Sequence, residues 1–328
     1  MAKIILGIGS SHTPMLNVAA DEWPLFIELD RRRPHLDKEG RPASYDELVA
    51  AADGSMTERL RPDVLQERYR QAMAGVERLA DTLAEAPIDA LIVIGDDQKE
   101  LYQDDNMPSI LFYRGETIRN RPLQRKGGPD WAKRATAAYY EREQAREYPV
   151  HVGLAEHLIA DLIGQSFDIA CANAIPDENL GEGHAFAFVH TRLLRRRLLP
   201  VVPVFLNTYF PPNQPTPARC FQLGRAIRAA VERFPQDLRI GVLASGGLSH
   251  FTVDEELDGH IIECLRAGRG QELGSLPTNK LQSGASEIRN WICLAGAVEH
   301  LAVSHLDYIP GYRTPAGTGT GLCFASWH

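Results

Sequence analysis

The sequence predicts an α/β protein: one central, mostly parallel or mixed sheet in a layered arrangement, flanked by helices. Three observations carry this. Short continuous apolar runs, among them Ala90-Leu91-Ile92-Val93-Ile94 and Val201-Val202-Pro203-Val204-Phe205-Leu206, have the length of strands buried on both faces. Stretches with apolar residues at helical spacing lie between them. The strand, helix, strand order with short turns is the pattern of a layered, largely parallel sheet.

The elements follow in order. Residues 3–9 read as a first strand, and Ser10-Ser11-His12-Thr13-Pro14 follows as a loop. Residues 21–63 are polar and broken by Pro24, Pro34, Pro42 and Pro62, so they are expected to hold no core element. A connection of this length suits a lid, a partner surface or a mobile loop. Residues 63–84 read as an amphipathic helix with Val64, Leu65, Tyr69, Met73, Val76, Leu79 and Leu83 near helical spacing. The strand at 90–95 ends in Asp96-Asp97-Gln98-Lys99-Glu100. A short strand is expected over 106–113, a basic loop over 119–130, a helix over 131–146, a strand edge over 150–154, a helix over 156–164 and a strand over 168–174. Gly181-Glu182-Gly183-His184 places a glycine-flanked histidine in a loop, and a helix or extended segment then runs to Arg197. The strand at 201–207 leads into a proline-rich loop over 209–217, and a helix follows over 217–233. Residues 240–245 form a further buried strand that stops at Ser245-Gly246-Gly247, with Leu248-Ser249-His250 just beyond. Helices are expected over 255–265 and 288–301. The Gly/Thr-rich stretch 312–321 lacks the spacing of a phosphate loop. With no internal repeat, the chain reads as a single catalytic domain, 1–328, with 21–63 as a lid or partner-contact insertion.

Composition excludes several classes. The chain has 328 residues, 44% hydrophobic and 24% charged, with net charge -8 and a pI near 5.8. An acidic balance argues against nucleic-acid binding, which normally needs a basic patch. The clusters Arg31-Arg32-Arg33 and Arg195-Arg196-Arg197 are short enough to be solvated faces. Five scattered cysteines without a Cys-x-x-Cys pair fit a reduced compartment. The first residues lead straight into a strand rather than a secretory segment. No run approaches the ~20 apolar residues of a membrane span. A cytoplasmic protein is expected.

Chemistry-bearing residues gather at element ends. His12 and His250 follow strands, where the crevices of α/β sheets open. His184 sits in a third loop. Glu287 opens the helix after Ser283-Gly284-Ala285-Ser286, where it is equally explained as a first-turn acid favoured by the helix dipole, with the serines as cap. Two imidazoles and a carboxylate bind one face of a non-haem Fe(II) and leave the other open. His12, Glu287 and one more ligand would make such a set, with a remaining histidine for acid–base work.

The chain resembles the class III extradiol ring-cleavage dioxygenases, of the protocatechuate 4,5-dioxygenase β-subunit and gallate dioxygenase type. The resemblance is carried by Gly7-Ile8-Gly9-Ser10-Ser11-His12-Thr13-Pro14, Asp96-Asp97-Gln98, Gly183-His184, Arg219-Cys220-Phe221, the run 226–235, Gly246-Gly247-Leu248-Ser249-His250, and Ser283-Gly284 through Glu287 to Trp291. It spans most of the chain and is densest over 201–296. It implies an Fe(II) enzyme that opens a catechol- or gallate-type acid with O2. His12 and Glu287 are implied as metal ligands, His250 as the acid–base residue, and His184 as a pocket residue near substrate or oxygen. Arg313 and Thr314 lie where the family places pocket residues. Arg313 is equally explained as a substrate-carboxylate partner or as half of a salt bridge.

Two departures stand out. The family has Asn-Asp-His after the second strand, and its histidine is the second iron ligand. Here Gln98 takes that place, offering a neutral oxygen that suits harder ions than Fe(II). Asp97 or Glu100 would substitute after a small loop shift. The segment 21–63 is also longer than in the family. The expected metal set is therefore His12, Gln98 and Glu287, with Fe(II), another divalent ion or no ion. The expected partners are a small aromatic acid, O2 and a second copy in a homodimer. The alternative is a member with altered metal or no iron, using His250 as general acid or base in an O2-independent hydrolysis, decarboxylation or isomerisation of a related acid.

Overall fold

Apolar side chains alternate between the two faces of a single large sheet, and that alternation sets the layers. The computed structural model describes residues 1–123 and 127–328, so part of the basic loop expected over 119–130 lies outside the described residues. The described residues form twelve strands: β1 (Lys3–Ser10), β2 (His35–Leu36), β3 (Pro42–Ala43), β4 (Ala90–Asp96), β5 (Ile110–Tyr113), β6 (Thr117–Asn120), β7 (Arg146–Pro149), β8 (Ala170–Ala172), β9 (Val201–Leu206), β10 (Arg239–Ser245), β11 (Val303–Tyr312) and β12 (Gly319–Trp327). Eight of them make one sheet in the order β11-β12-β1-β10-β4-β9-β5-β8. The centre, β1-β10-β4-β9, is parallel, β12 and β5 flank it antiparallel, and β11 pairs antiparallel with β12.

In β4, Ala90, Ile92 and Ile94 face one core and Leu91 and Val93 the other. Strand β1 shows the same division with a twist in register. Ile4 belongs to the first core but Leu6 and Ile8 to the second, because the pairing with β10 shifts between Ile4 and Leu6. Helices Val152–Gly164, Pro217–Arg233, Glu255–Arg266 and Ile288–Ala297 cover the first face. Helices Pro62–Glu85, Asp130–Ala137 and His184–Phe188 cover the second. The layered α/β expectation holds.

Several element expectations need correction. Residues 21–63 are not without core: Trp23 and Phe26 are buried in the second core, and a helix at Tyr45–Ala51 buries Tyr45 and Leu48. Of the prolines in this segment, Pro24 lies inside a short 3-10 helix, Pro42 in β3, and Pro62 opens the long helix Pro62–Glu85, where its missing N–H costs nothing. The helix expected over 131–146 ends at Ala137; residues 138–145 are turn and bend, and Arg146 begins strand β7. The strand edge expected over 150–154 is instead the start of helix Val152–Gly164. There His151 Nδ1 accepts the Leu154 N–H as a cap, and Val150 forms a lone bridge to Val201. The strands expected over 106–113 and 168–174 shrink to β5 and β8. His184 is not in a loop but is the first residue of a helix. The Gly/Thr-rich tail lies in the hairpin of β11 and β12. Among the described residues no helix is long and apolar enough to cross a membrane.

Candidate metal and acid–base site

Parallel strands end on the same edge of the sheet, so their last residues meet. His12 lies two residues past β1, Asp96 is the last residue of β4 and Ser245 the last of β10. Glu287 reaches the same edge from the residue that precedes helix Ile288–Ala297. Its carboxylate makes no cap hydrogen bond to that helix and turns into the site. The capping explanation of Glu287 is therefore set aside.

The protonation of His12 follows from its neighbours. Ser245 Oγ donates to Ala185 O at 2.7 Å, so its lone pair accepts from His12 Nδ1–H at 2.9 Å. The proton on Nδ1 leaves Nε2 with a lone pair. That nitrogen is buried, has no hydrogen-bond partner and lies 3.5 Å from Glu287 Oε2. A nitrogen of His12 and one oxygen each of Asp96 and Glu287 all lie within 4.8 Å of one another.

Glu287 Oε2 accepts the Gly247 N–H at 2.9 Å. Its Oε1 accepts from Tyr209 Oη at 3.0 Å and Gln98 Nε2 at 3.2 Å, and lies 3.2 Å from His250 Nε2. Burial opposes ionisation of Glu287, but the charge of His250 beside it outweighs burial and holds the carboxyl well below its usual range. For Asp96 the balance runs the other way: burial and the Glu287 charge push it up to about 6. Among the described residues neither carboxylate pairs with an arginine or lysine.

Gln98 was expected to offer its oxygen to a metal. The structure instead turns its amide nitrogen to both carboxylates, Glu287 and Asp96 Oδ2 at 3.3 Å, because two acceptors require a donor between them. Asp97 does not approach the cluster, since its oxygens accept the Leu101 and Tyr102 N–H groups at 3.0 and 2.9 Å. Glu100 is bound to His184, through the ring at 2.8 Å and the backbone N–H at 3.1 Å. Burial disfavours the His184 cation, but Glu100 prevails and raises its pKa to about 10.

His250 donates from Nδ1 to Leu248 O at 2.8 Å, which leaves Nε2 facing Glu287. Burial again opposes the cation, and Glu287 more than offsets it, so the His250 pKa is raised. Gly284 is required beside it: a Cβ there would stand 2.3 Å from His250 Cδ2 and 2.4 Å from its carbonyl oxygen.

His12, Gln98, His184, Tyr209, His250 and Glu287 line a cavity of about 280 Å³, at the small end of ligand pockets, with Asp96 outside the lining. Arg313 lies in its wall, but Nε and Nη2 are both spent on Asp30 at 2.9 and 2.8 Å. Thr314 is buried away from the lining, with its hydroxyl paired to Thr318 at 2.6 Å. Thr314 thus stands outside the lining, while Arg313 is in it with two of its three nitrogens bound to Asp30. Arg33, from the segment read as a polar insertion, lines the cavity and lies 3.7 Å from the centre of the Phe251 ring. Sequence reasoning also missed Asp96 and Tyr209. Each ends or follows a strand, the same signal that pointed to His12 and His250.

Residues 62–322 match the family described as the catalytic LigB subunit of aromatic ring-opening dioxygenase. The gallate dioxygenase of Pseudomonas putida is 31% identical over 103 residues, which cover 30% of this chain and 28% of that protein. The match thus spans little more than a quarter of that relative's length.

Proposed function

This chain belongs to the family of catalytic LigB subunits of aromatic ring-opening dioxygenases, and from that premise we propose that it opens a catechol- or gallate-type acid beside its diol, using O2 and a divalent metal held in part by His12 and Glu287. The resemblance implies Fe(II) as that metal. The observation that carries the reading is His12 Nε2, a buried lone pair aimed at a buried carboxylate with no hydrogen to share. Two adjoining buried carboxylates that share one histidine cation, with no arginine or lysine paired to either among the described residues, also call for a further cation. When bound, the metal supplies a Lewis acid that eases loss of a proton from a phenolic hydroxyl.

The chain's own residues do the rest. His250 takes or returns a substrate proton at Nε2, because Leu248 O fixes the other ring nitrogen as donor. Glu287 raises the His250 pKa, and sharing its charge with a bound cation would leave the His250 ring freer to act as base. His184 lines the cavity with its ring edge to His12, 4.6 Å between centroids. A cavity of this size admits a single aromatic ring and excludes most water.

Oxygen uptake on a panel of catechol and gallate acids, after metal loading, tests the proposal. His250→Gln should lower kcat about 100- to 10,000-fold, the usual share of a positioned acid–base group. Uptake that persists in this variant would remove His250 from the reaction. A second reading is favoured by Gln98 standing where an imidazole is expected: an O2-independent reaction of a related acid, run by His250. Turnover under strict anaerobiosis would support it and overturn ring opening.

A further inference from the structure

We propose that the third protein donor of this site is Asp96, not Gln98, so that His12, Asp96 and Glu287 form a one-imidazole, two-carboxylate site that takes Mn(II) in preference to Fe(II). The inference rests on the reading that this pocket holds a metal, and it departs from the two-imidazole set that the resemblance implies.

The geometry comes from three elements. Asp96 closes β4 with no exposed surface, and Glu287 and His12 are almost as deeply buried. The two contacts made by the Asp96 carboxylate are long: Gln98 Nε2 at 3.3 Å and Asn290 Nδ2 at 3.4 Å. A buried carboxylate is ordinarily held by short, charge-assisted bonds. Here two neutral amides stand off at the limit of hydrogen bonding while a second carboxylate lies alongside. Asn290 is itself anchored by a 2.9 Å bond to Ser245 O, so it cannot close on Asp96 freely. His250 balances Glu287, and a cation to balance the second carboxylate belongs within reach of Asp96, Glu287 and the His12 lone pair, whose donor atoms are mutually within 4.8 Å. Gln98, bridging both carboxylates from its nitrogen, orients them and does not ligate.

Ligand chemistry then selects the ion. Two carboxylates and one imidazole carry two negative charges and offer mostly hard oxygen, which suits Mg(II), Ca(II) and Mn(II). The single nitrogen donor favours Mn(II) among these, since Mg(II) and Ca(II) sites are built from oxygen.

The test uses full-length protein stripped by chelator, with Mn(II), Mg(II) and anaerobic Fe(II) as probes. Loss of the free Mn(II) signal in electron paramagnetic resonance, together with calorimetry, reads binding without turnover. Wild type should bind one Mn(II) per chain and show coupling to one imidazole nitrogen. Asp96→Asn should weaken Mn(II) binding at least ~100-fold, whereas Gln98→Ala, the loss of an orienting group, should cost at most about 10- to 100-fold. Gln98→His should raise the Fe(II)-to-Mn(II) affinity ratio about tenfold or more. Removing one of two apposed charges leaves metal-free Asp96→Asn at least as heat-stable as wild type, but abolishes the rise in melting temperature that Mn(II) gives wild type. Coupling to two imidazole nitrogens, unchanged binding in Asp96→Asn, or a larger loss in Gln98→Ala than in Asp96→Asn would each overturn the assignment. Mn(II) bound through Asp96 with no oxygen uptake on any phenolic acid would keep this site and remove the ring-opening reading. Oxygen uptake in a protein whose metal ignores Asp96 would do the reverse.

Discussion

Asp30 is a buried carboxylate shared by two guanidinium groups, and it fixes how both stand in the cavity wall. Arg313 holds it through a two-pronged pair, while Arg33 Nε stands 3.8 Å away with about a third of its side chain exposed. An arginine already paired in this way gains little from a second carboxylate. Arg33 also lines the cavity, its planar group over Phe251 next to His250, and we expect its positive charge there to add to the binding of acidic substrates. Arg33→Met keeps the packing against Phe251 and removes the charge. The expected result is a KM for acidic substrates raised about tenfold or more with kcat nearly unchanged, the mark of lost binding common to ground and transition states. A fall in kcat at constant KM would contradict it. The site histidines and Glu287 were legible from the residue string because glycines and strand ends mark them. Arg33, Arg313 and Thr314 were not, because the partner that separates their roles, Asp30, lies 283 residues from Arg313.

At the level of elements, the loop that carries His250 is fastened from behind by helix Glu255–Arg266. Asp258 on that helix accepts the Ser249 N–H at 2.8 Å and the hydroxyls of Ser249 and Tyr308 at 2.7 Å. Burial pushes its pKa up to about 6 from 3.8 despite those bonds. The folded state thus binds this proton more tightly than the unfolded state. The resulting stability is fully present below about pH 4 and is lost as pH rises through about 6, for a total on the order of 3 kcal/mol. Asp258→Asn retains an acceptor for the Ser249 N–H and has no charge to bury. Denaturation of this variant at several pH values should show a flatter profile between pH 4 and 6 and greater stability at pH 7 than wild type. An unchanged slope would rule out Asp258 as its source. The strands and long helices of the centre were readable because their apolar periods agree with their burial. The hairpin of β11 and β12 was not, because Pro310, Gly311 and the glycines after it look like loop punctuation. Pro310 is tolerated because β11 is the edge of the sheet.

Across the whole molecule, residues 21–63 form a wall tied to distant parts of the chain. Arg313 grips Asp30, Thr252 Oγ1 donates to Leu36 O at 2.7 Å, and Asn279 Nδ2 donates to Glu39 O at 2.7 Å. We propose that this segment belongs to the single domain as the fixed side of the cavity. Asp30→Ala leaves the Arg313 cation buried and should cost about 3–5 kcal/mol in denaturant unfolding, whereas replacing both partners by apolar residues of similar volume should recover most of it. A loss below ~1 kcal/mol would show that the pair is not what holds the wall, because that is the range of an exposed pair. The polar composition and prolines of 21–63 concealed this role, since its anchors are few and their partners lie far along the chain.

The three groups proposed to hold the ion stand at positions 12, 96 and 287, on three separate elements. Such a site has no local precursor. During synthesis His12 waits until Glu287 has been made before its last carboxylate partner exists. Metal uptake therefore follows folding, and the preference of the donor set among divalent cations acts only once the three elements have come together.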